Sequence, residues 1–225
     1  MPDQITRLIA IRHGETPWNA VGRLQGHQDI PLNELGMAQA RRVAHALREE
    51  GIEQLYSSDL LRARQTAEAV SSVLGLPVHI EPGLRERGFG VFEGLSFAEL
   101  ERDHPEHALR WKRREPGYRP EGGESLQDLQ ERVLAALTGI AQAHPGQHVA
   151  VVAHGGVLDM VYRIAARLPI DAPRTWTLAN AAINRLLYTP QGFTMVAWAD
   201  DRHLDASEVL DESADGAQPL RFAAP

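Results

Sequence analysis

The 225-residue sequence contains no cysteine. This absence excludes disulfide frameworks, zinc sites built from thiolates and every mechanism that uses a cysteine nucleophile. No apolar run approaches the ~20 residues that a membrane-spanning helix needs, and no secretory signal is readable. We therefore expect a cytoplasmic protein without a membrane partner.

An excess of positive charge is also missing, since the formal net charge is −7. Nucleic-acid-binding domains are usually basic overall or carry a broad basic face. This sequence has only local basic clusters, so we expect no nucleic-acid partner. A small anionic substrate would need a locally positive site within an acidic protein. The sequence does not indicate the oligomeric state.

Strand-length apolar runs alternate with helix-length segments along most of the chain. This alternation predicts an α/β fold in three layers, α/β/α, around a doubly wound and mostly parallel sheet. Asn33 is a predicted helix N-cap, and Ser125 with Asp128 forms a predicted capping box. Strands are predicted at 8–11, 52–57, 78–80, 149–153, 183–188 and 193–198, and helices at 37–50, 59–74, 125–143 and from 155 to about 167.

Residues 95–123 interrupt this alternation with basic residues and a Pro/Gly-rich stretch. We interpret them as a small helical cap inserted over the site. The rest of 1–204 is predicted to form one domain with this cap, and residues 205–225 a polar C-terminal tail.

Three polar clusters directly follow predicted strands: Arg12-His13-Gly14, Ser57-Ser58 with Arg62, and His154-Gly155-Gly156. In an open α/β sheet, ligands bind at the carboxyl ends of the strands, so these clusters should converge. Arginine matches phosphate oxygens with a planar fork, and neutral imidazole can attack phosphorus. The convergent set of two histidines and two arginines therefore predicts a phosphoryl-transfer site.

The sequence over about residues 7–203 also resembles that of the histidine phosphatase superfamily, in its phosphoglycerate-mutase-like branch. The similarity rests on several motifs in matching order, which is a far more specific signal than Arg-His-Gly alone. They are Leu8–Thr16, Trp18-Asn19, Leu24-Gln25-Gly26, Pro31-Leu32, Gly36, Ser57-Ser58, Arg62-Ala63, Gln65-Thr66-Ala67, Leu84-Arg85-Glu86 with Gly90, Phe92-Glu93-Gly94, Gly123-Glu124-Ser125 and His154-Gly155.

The resemblance implies a role for each matching position. His13 would be the phosphorylated nucleophile, and Glu86 the general acid that protonates the leaving oxygen. Arg12, Arg62 and His154 would hold the transferring phosphoryl group. The remaining pocket residues implied by the family are Asn19, Gln25, Gly26 and the N–H of Gly155.

Several residues allow a second interpretation. Glu81 and Glu93 are alternative candidates for the general acid assigned to Glu86. Arg62 could pair with Asp59 instead of binding phosphate. The basic residues 110–114 fit a solvated helix face, or a recognition patch in which Arg113 and Arg114 bind an acidic substrate. We expect no metal, because no His or carboxylate cluster has a plausible ligand spacing.

The predicted function is metal-independent hydrolysis of small phosphorylated metabolites through a phosphohistidine. The alternative is a phosphoglycerate mutase, which would need 2,3-bisphosphoglycerate as phosphoryl donor. Only ten residues, Glu115–Glu124, separate the basic cluster from Ser125, and the family's mutases carry a long insertion there. A non-catalytic phospho-ligand binder is a third possibility, although it would not need both His13 and Glu86.

Overall fold

The computed structural model describes residues 5–205. Its strands are β1 (Thr6–Arg12), β2 (Gln54–Ser57), β3 (Val78–Ile80), β4 (His148–Ala153), β5 (Ile183–Thr189) and β6 (Gly192–Asp200). Its α-helices are α1 (Pro17–Ala20), α2 (Glu34–Ala46), α3 (Leu61–Leu74), α4 (Phe97–Asp103), α5 (Pro105–Lys112), α6 (Leu126–Ala143) and α7 (Gly155–Ala166). Apart from Asp205, the predicted C-terminal tail lies outside the described residues.

The six strands form one sheet in the order β3-β2-β4-β1-β5-β6. β3, β2, β4 and β1 run parallel, and β5 and β6 add an antiparallel pair at one edge. The mostly parallel sheet and its terminal strand pair are therefore confirmed.

Alternate side chains of β1 pack into two different cores. Leu8 and Ala10 join a buried cluster that includes residues of α6 and α7. Ile9 and Ile11 point to the opposite face and join residues of α2 and α3. A strand that is buried on both faces has a continuous apolar sequence, as residues 8–11 do. The helices that cover both faces of the sheet confirm the three layers.

Helices α2 and α6 each begin directly after the predicted N-cap residue. The Asn33 side chain accepts a hydrogen bond from Gly36 N at 2.7 Å, so α2 begins at Glu34, three residues before the predicted start. Ser125 and Asp128 form the predicted capping box at the start of α6. The short helix α1, capped by Thr16, was not predicted because four residues are too few for a periodic pattern.

The region predicted as a cap contains the two short helices α4 and α5. Leu100 of α4 and Ala108 of α5 pack with Phe92, which precedes both helices, in a small apolar cluster. The boundaries 95–123 stay a prediction. Within residues 5–205 we find no helix of the length and apolarity that a membrane crossing requires.

Candidate active site

The three predicted clusters meet at the carboxyl end of the parallel strands. Arg12 is in register with Ala153, the last residue of β4, and His13 N donates to the Ala153 carbonyl at 3.0 Å. On the other side of β4, Ser58 N donates to the Val152 carbonyl at 3.0 Å. The parallel pairing therefore brings residues about 140 positions apart in sequence to one edge, as strand-end geometry predicts.

His13 is buried, with 2% of its surface exposed. Its Nδ1 lies 2.7 Å from the Gly14 carbonyl oxygen. Because a carbonyl can only accept, Nδ1 carries the proton and Nε2 keeps its lone pair. Burial lowers the pKa of His13 well below its ordinary value, and Arg62 and Arg12 lower it further. The imidazole is therefore neutral and has a free nucleophilic nitrogen.

His154 is fully buried, and its ring centre lies 5.1 Å from that of His13. Its Nε2 is 2.9 Å from the Ser58 hydroxyl oxygen, which already accepts from Leu60 N at 3.3 Å. The Ser58 O–H is thus available to donate to Nε2, which would leave the imidazole proton on Nδ1. Burial, then Arg62, lowers the pKa of His154 well below its ordinary value.

The Arg62 guanidinium is held by two backbone carbonyls. Nη1 donates to Gln28 O at 2.8 Å, and Nη2 donates to Gly26 O at 2.9 Å. Its buried Nε has no hydrogen-bond partner within residues 5–205. Burial lowers the pKa of Arg62 to about 10, so the group stays cationic at neutral pH. The alternative pairing with Asp59 is wrong, because Asp59 accepts from Arg85 Nε at 2.7 Å.

Arg12 is held in a similar way. Its Nη1 donates to the Leu178 carbonyl, and its buried Nε lacks a partner in the described part of the chain. A Cβ on Gly155 would lie 3.6 Å from this Nε, so the guanidinium lies beside the start of α7. Burial lowers the pKa of Arg12. Arg12 and Arg62 thus each present a buried N–H group that no other group in residues 5–205 satisfies.

Glu86 reaches the same edge of the sheet. Gly156 N donates to its two carboxylate oxygens at 3.0 and 3.1 Å, and Arg87 N donates to Oε1 at 2.8 Å. A Cβ on Gly156 would lie 2.2 Å from Oε1, so the close approach requires glycine. Its rival Glu81 accepts from Gly83 N at 2.7 Å, within a local turn.

Two predicted pocket residues have different surroundings. The Asn19 side-chain oxygen completes the capping box of α1 by accepting from Thr16 N at 3.1 Å. Gln25 is buried, and its Oε1 has no partner among residues 5–205. Asn180 links this region to His13, since its Nδ2 donates to the His13 carbonyl at 3.0 Å and to Asn19 Oδ1 at 3.3 Å.

The basic residues at positions 110–114 have different partners in the part of the chain that the structure describes. Arg110 pairs with Glu115 at 2.6 Å on the surface. Arg114 is mostly buried and donates to Asp159 Oδ2 at 2.6 Å and to the Ile170 carbonyl at 3.2 Å. Arg113 is exposed after the end of α5. Substrate binding by Arg113 and Arg114 stays a prediction.

Sequence reasoning missed several residues that complete this geometry. Ser58 and Gly156 lie inside the predicted clusters, and their motifs could have identified them. Asn180 and the Leu178 carbonyl belong to a segment without periodicity, so the sequence offers no signal for them. Arg87 was also missed. It is buried, its pKa is lowered to about 10 by burial, and its guanidinium lies 4.9 Å from the Trp111 ring centre.

Residues 5–205 contain no group of three or more His, Asp or Glu side chains that could hold a metal ion. A model of the histidine phosphatase superfamily, branch 1, matches residues 8–201. A metal-independent phosphoserine phosphatase from Arabidopsis thaliana is 38% identical over 217 residues, covering 95% of this chain and 89% of the relative.

A probable phosphoglycerate mutase from Yersinia pestis is 35% identical over 211 residues, covering 92% of this chain and 98% of the relative. Among solved structures, a mycobacterial glucosyl-3-phosphoglycerate phosphatase in complex with VO3 is similar, with a TM-score of 0.77 and 30% identity. That match covers 86% of this chain and 98% of the other.

Proposed function

Because this chain belongs to the histidine phosphatase superfamily and is an enzyme with phosphatase activity, we propose that it hydrolyses small phosphomonoesters through phosphohistidine 13. The observation that carries the proposal is the contact between His13 Nδ1 and the Gly14 carbonyl, from which the tautomer follows. The His13 Nδ1–H is bound to the Gly14 carbonyl at 2.7 Å, which leaves the Nε2 lone pair to attack phosphorus. Burial, and then the cationic side chains of Arg62 and Arg12, lower the pKa of His13.

The reaction would proceed in two displacements. In the first, the His13 Nε2–P bond forms, the P–O bond to the leaving group breaks, and Glu86 gives its proton to the leaving oxygen. In the second, water attacks the phosphohistidine, the N–P bond breaks, and the Glu86 carboxylate takes the proton from water. Inorganic phosphate leaves, and Glu86 is protonated again for the next cycle.

The charge that develops on the phosphoryl oxygens would be stabilised by fixed donors. Arg12 and Arg62 are oriented by backbone carbonyls, so they need no reorganisation when the phosphoryl group transfers. His154 would add its Nδ1–H, because Ser58 occupies Nε2 at 2.9 Å. Asn19, Gln25, Gly26 and the Gly155 N–H are proposed to complete the pocket.

Hydrolysis is favoured over mutase chemistry by the size of the cap. A mutase must keep water from the phosphoenzyme until an acceptor hydroxyl arrives. The cap helices α4 and α5 have only 7 and 8 residues. The mutase alternative is supported by the name of the Yersinia relative. Free phosphate and isomerisation, followed with 3-phosphoglycerate and 2,3-bisphosphoglycerate, separate the two functions.

We infer a small phosphorylated metabolite as substrate, without a metal or organic cofactor. The phosphoserine and glucosyl-phosphoglycerate phosphatases among the relatives suggest a substrate with a carboxylate near the phosphate. Activity should persist in excess EDTA. A cytoplasmic location and the absence of nucleic-acid and membrane partners stay predictions.

Rapid-quench labelling tests the mechanism directly. With a phosphate-labelled substrate, the wild-type enzyme should yield an acid-labile, base-stable phosphoprotein. His13→Ala should neither label nor turn over, whereas His45→Ala, on the exposed face of α2, should do both. Normal labelling and turnover of His13→Ala would refute the phosphohistidine mechanism.

A further inference from the structure

Two loops meet at Glu93. The first, residues 26–28, carries the carbonyls that accept from Arg62, and the second carries Glu86, Phe89 and Glu93 itself. The Glu93 Oε1 accepts from His27 N at 3.0 Å and from Phe89 N at 3.1 Å, and its Oε2 accepts from Gln28 Nε2 at 2.8 Å. His27 and Gln28 belong to the first loop, and Phe89 belongs to the second. One carboxylate therefore fastens the two loops together.

The first loop is also the one that orients Arg62. The carbonyls of Gly26 and Gln28 accept from the two Nη atoms at 2.9 and 2.8 Å. Glu93 accepts from the N–H of His27, which directly follows Gly26, and from the side-chain amide of Gln28 itself. A shift of this loop would move both acceptors of the guanidinium at once.

The second loop carries Glu86. Phe89 N, which donates to Glu93, is three residues beyond Glu86 in the chain. A second link runs between the loops, because the His27 Nε2 lies 2.8 Å from the Glu86 carbonyl oxygen. The backbone of His27 is held by Glu93, so both links depend on the same carboxylate.

The glycine at position 26 also supports this arrangement. Its φ is +53°, and a Cβ at this position would lie 2.0 Å from Glu93 Oε1. The glycine is therefore needed for the approach of the carboxylate, in addition to the left-handed backbone conformation. Glu93 also acts on Arg62 through space and favours its charged form.

We propose that Glu93 is a positioning residue, which holds Arg62 and Glu86 in their working geometry by joining residues 26–28 to residue 89. The inference rests on the proposed function, in which Arg62 stabilises the phosphoryl group and Glu86 transfers the proton. Glu93 itself does not touch the substrate, since both of its oxygens are occupied by protein donors.

The test is a double-mutant cycle of Glu93→Ala and Arg62→Ala, with Glu93→Gln as the conservative variant. Misplacing a catalytic group costs roughly 10²-fold in rate, so Glu93→Ala should lower kcat about 10²-fold with a smaller change in KM. Glu93→Gln should recover much of this loss, because its amide oxygen still accepts from the two backbone N–H groups.

Non-additivity distinguishes positioning from a general loss of structure. If Glu93 acts through Arg62, adding Glu93→Ala to Arg62→Ala should cost far less than it costs in the wild type. Glu81→Ala is the matched control, since Glu81 is another half-buried carboxylate that binds a loop N–H; its kcat should stay within about twofold of wild type. Fully additive losses, or equal losses in Glu81→Ala, would overturn the proposal.

A second readout does not require turnover. Stabilisation of the protein by inorganic phosphate, measured by thermal shift, should fall in Glu93→Ala and in Arg62→Ala to the same level. If the wild type binds phosphate but shows no hydrolysis, the proposed function fails while this cycle still tests Glu93. Unchanged phosphate stabilisation in Glu93→Ala, beside a loss in Arg62→Ala, would count against the positioning role.

Discussion

Arg62 at the sheet edge and Arg110 in the predicted cap are held by different kinds of acceptor. Arg62 donates to the carbonyls of Gly26 and Gln28, whereas Arg110 in the cap pairs with the carboxylate of Glu115 at 2.6 Å. A carbonyl fixes the direction of a guanidinium without cancelling its charge. A carboxylate does both. The sheet edge therefore keeps positive charge available for an anion, whereas Glu115 neutralises the charge of Arg110.

Burial strengthens this difference. Arg62 is 1% exposed, and burial lowers its pKa to about 10. Burying this cation therefore lowers the stability of the folded protein. The nearby carboxylate of Glu86 acts on both Arg12 and Arg62 through space. Arg110 is half exposed in water, where an ion pair contributes little to stability.

The largest expected effect is at the sheet edge. Arg62→Ala should lower kcat/KM about 10³-fold, because a fixed donor to the developing charge is lost. Arg62→Lys should restore little of the lost activity, because the lysine ammonium lacks the planar guanidinium that binds two carbonyls and the phosphoryl group together. Steady-state kinetics with para-nitrophenyl phosphate measure both variants.

The matched control in the cap is Arg110→Ala, which should keep kcat/KM within about twofold of the wild type. A comparable loss in both variants would mean that charge in general, and not carbonyl-held charge at the strand ends, drives the reaction.

The second effect concerns the two carboxylates Glu86 and Glu115. Glu86→Gln removes the proposed proton donor, and general acid catalysis typically contributes about 10²–10⁴-fold. The loss should therefore be large for alkyl phosphates and small for para-nitrophenyl phosphate, whose leaving group needs no proton. Glu115→Gln in the cap should affect neither class of substrate. An equal loss across leaving groups in Glu86→Gln would assign Glu86 to binding.

The third effect is a pH dependence that comes from the buried histidines. Burial and the arginines hold the pKa values of His13 and His154 well below the ordinary value, which is near 6.5. As the pH falls below about 6.5, the unfolded chain protonates both imidazoles while the folded chain keeps them neutral. The unfolded state then binds more protons, so stability falls with decreasing pH.

Each histidine contributes at most about 1.4 kcal/mol per pH unit to this slope. Chemical denaturation between pH 7.5 and 5.5 should show a shallower acid loss in His154→Gln than in the wild type. The acid limb of the kcat/KM profile should lie below pH 6.5 as well, since the nucleophile stays neutral there. A slope that His154→Gln leaves unchanged would contradict the burial argument.

The smallest effect separates the two adjacent cap arginines. Arg114→Met should lower the free energy of unfolding by about 1–2 kcal/mol, because buried Asp159 loses one charged donor and keeps only Arg163, at 3.1 Å. Arg113→Ala should leave stability unchanged and raise KM only if Arg113 binds an acidic substrate. Denaturation and KM for phosphoserine, measured on both variants, decide which of the two arginines is structural.

Much of the sheet and its strand-end chemistry could be predicted from local patterns. β1 and β4 are continuous apolar runs that end in Arg12-His13 and His154, and parallel pairing has a known consequence for where such ends meet. The convergence of His13, His154, Arg12 and Arg62 at one edge of the sheet followed from that rule together with the family motifs. Asn33 and Ser125 were predictable as caps because capping depends on neighbours three residues away.

Only the tertiary structure decided how each group is held. The Leu178 carbonyl on Arg12, Asn180 on His13 and Gly156 on Glu86 join residues separated by 70 to 167 positions, and no periodicity encodes such pairs. Glu93 shows the same limit, since the sequence presented it as a rival acid and the fold made it a link between loops. Residue type sets which chemistry is possible, whereas hydrogen-bond partners depend on the path of the whole chain.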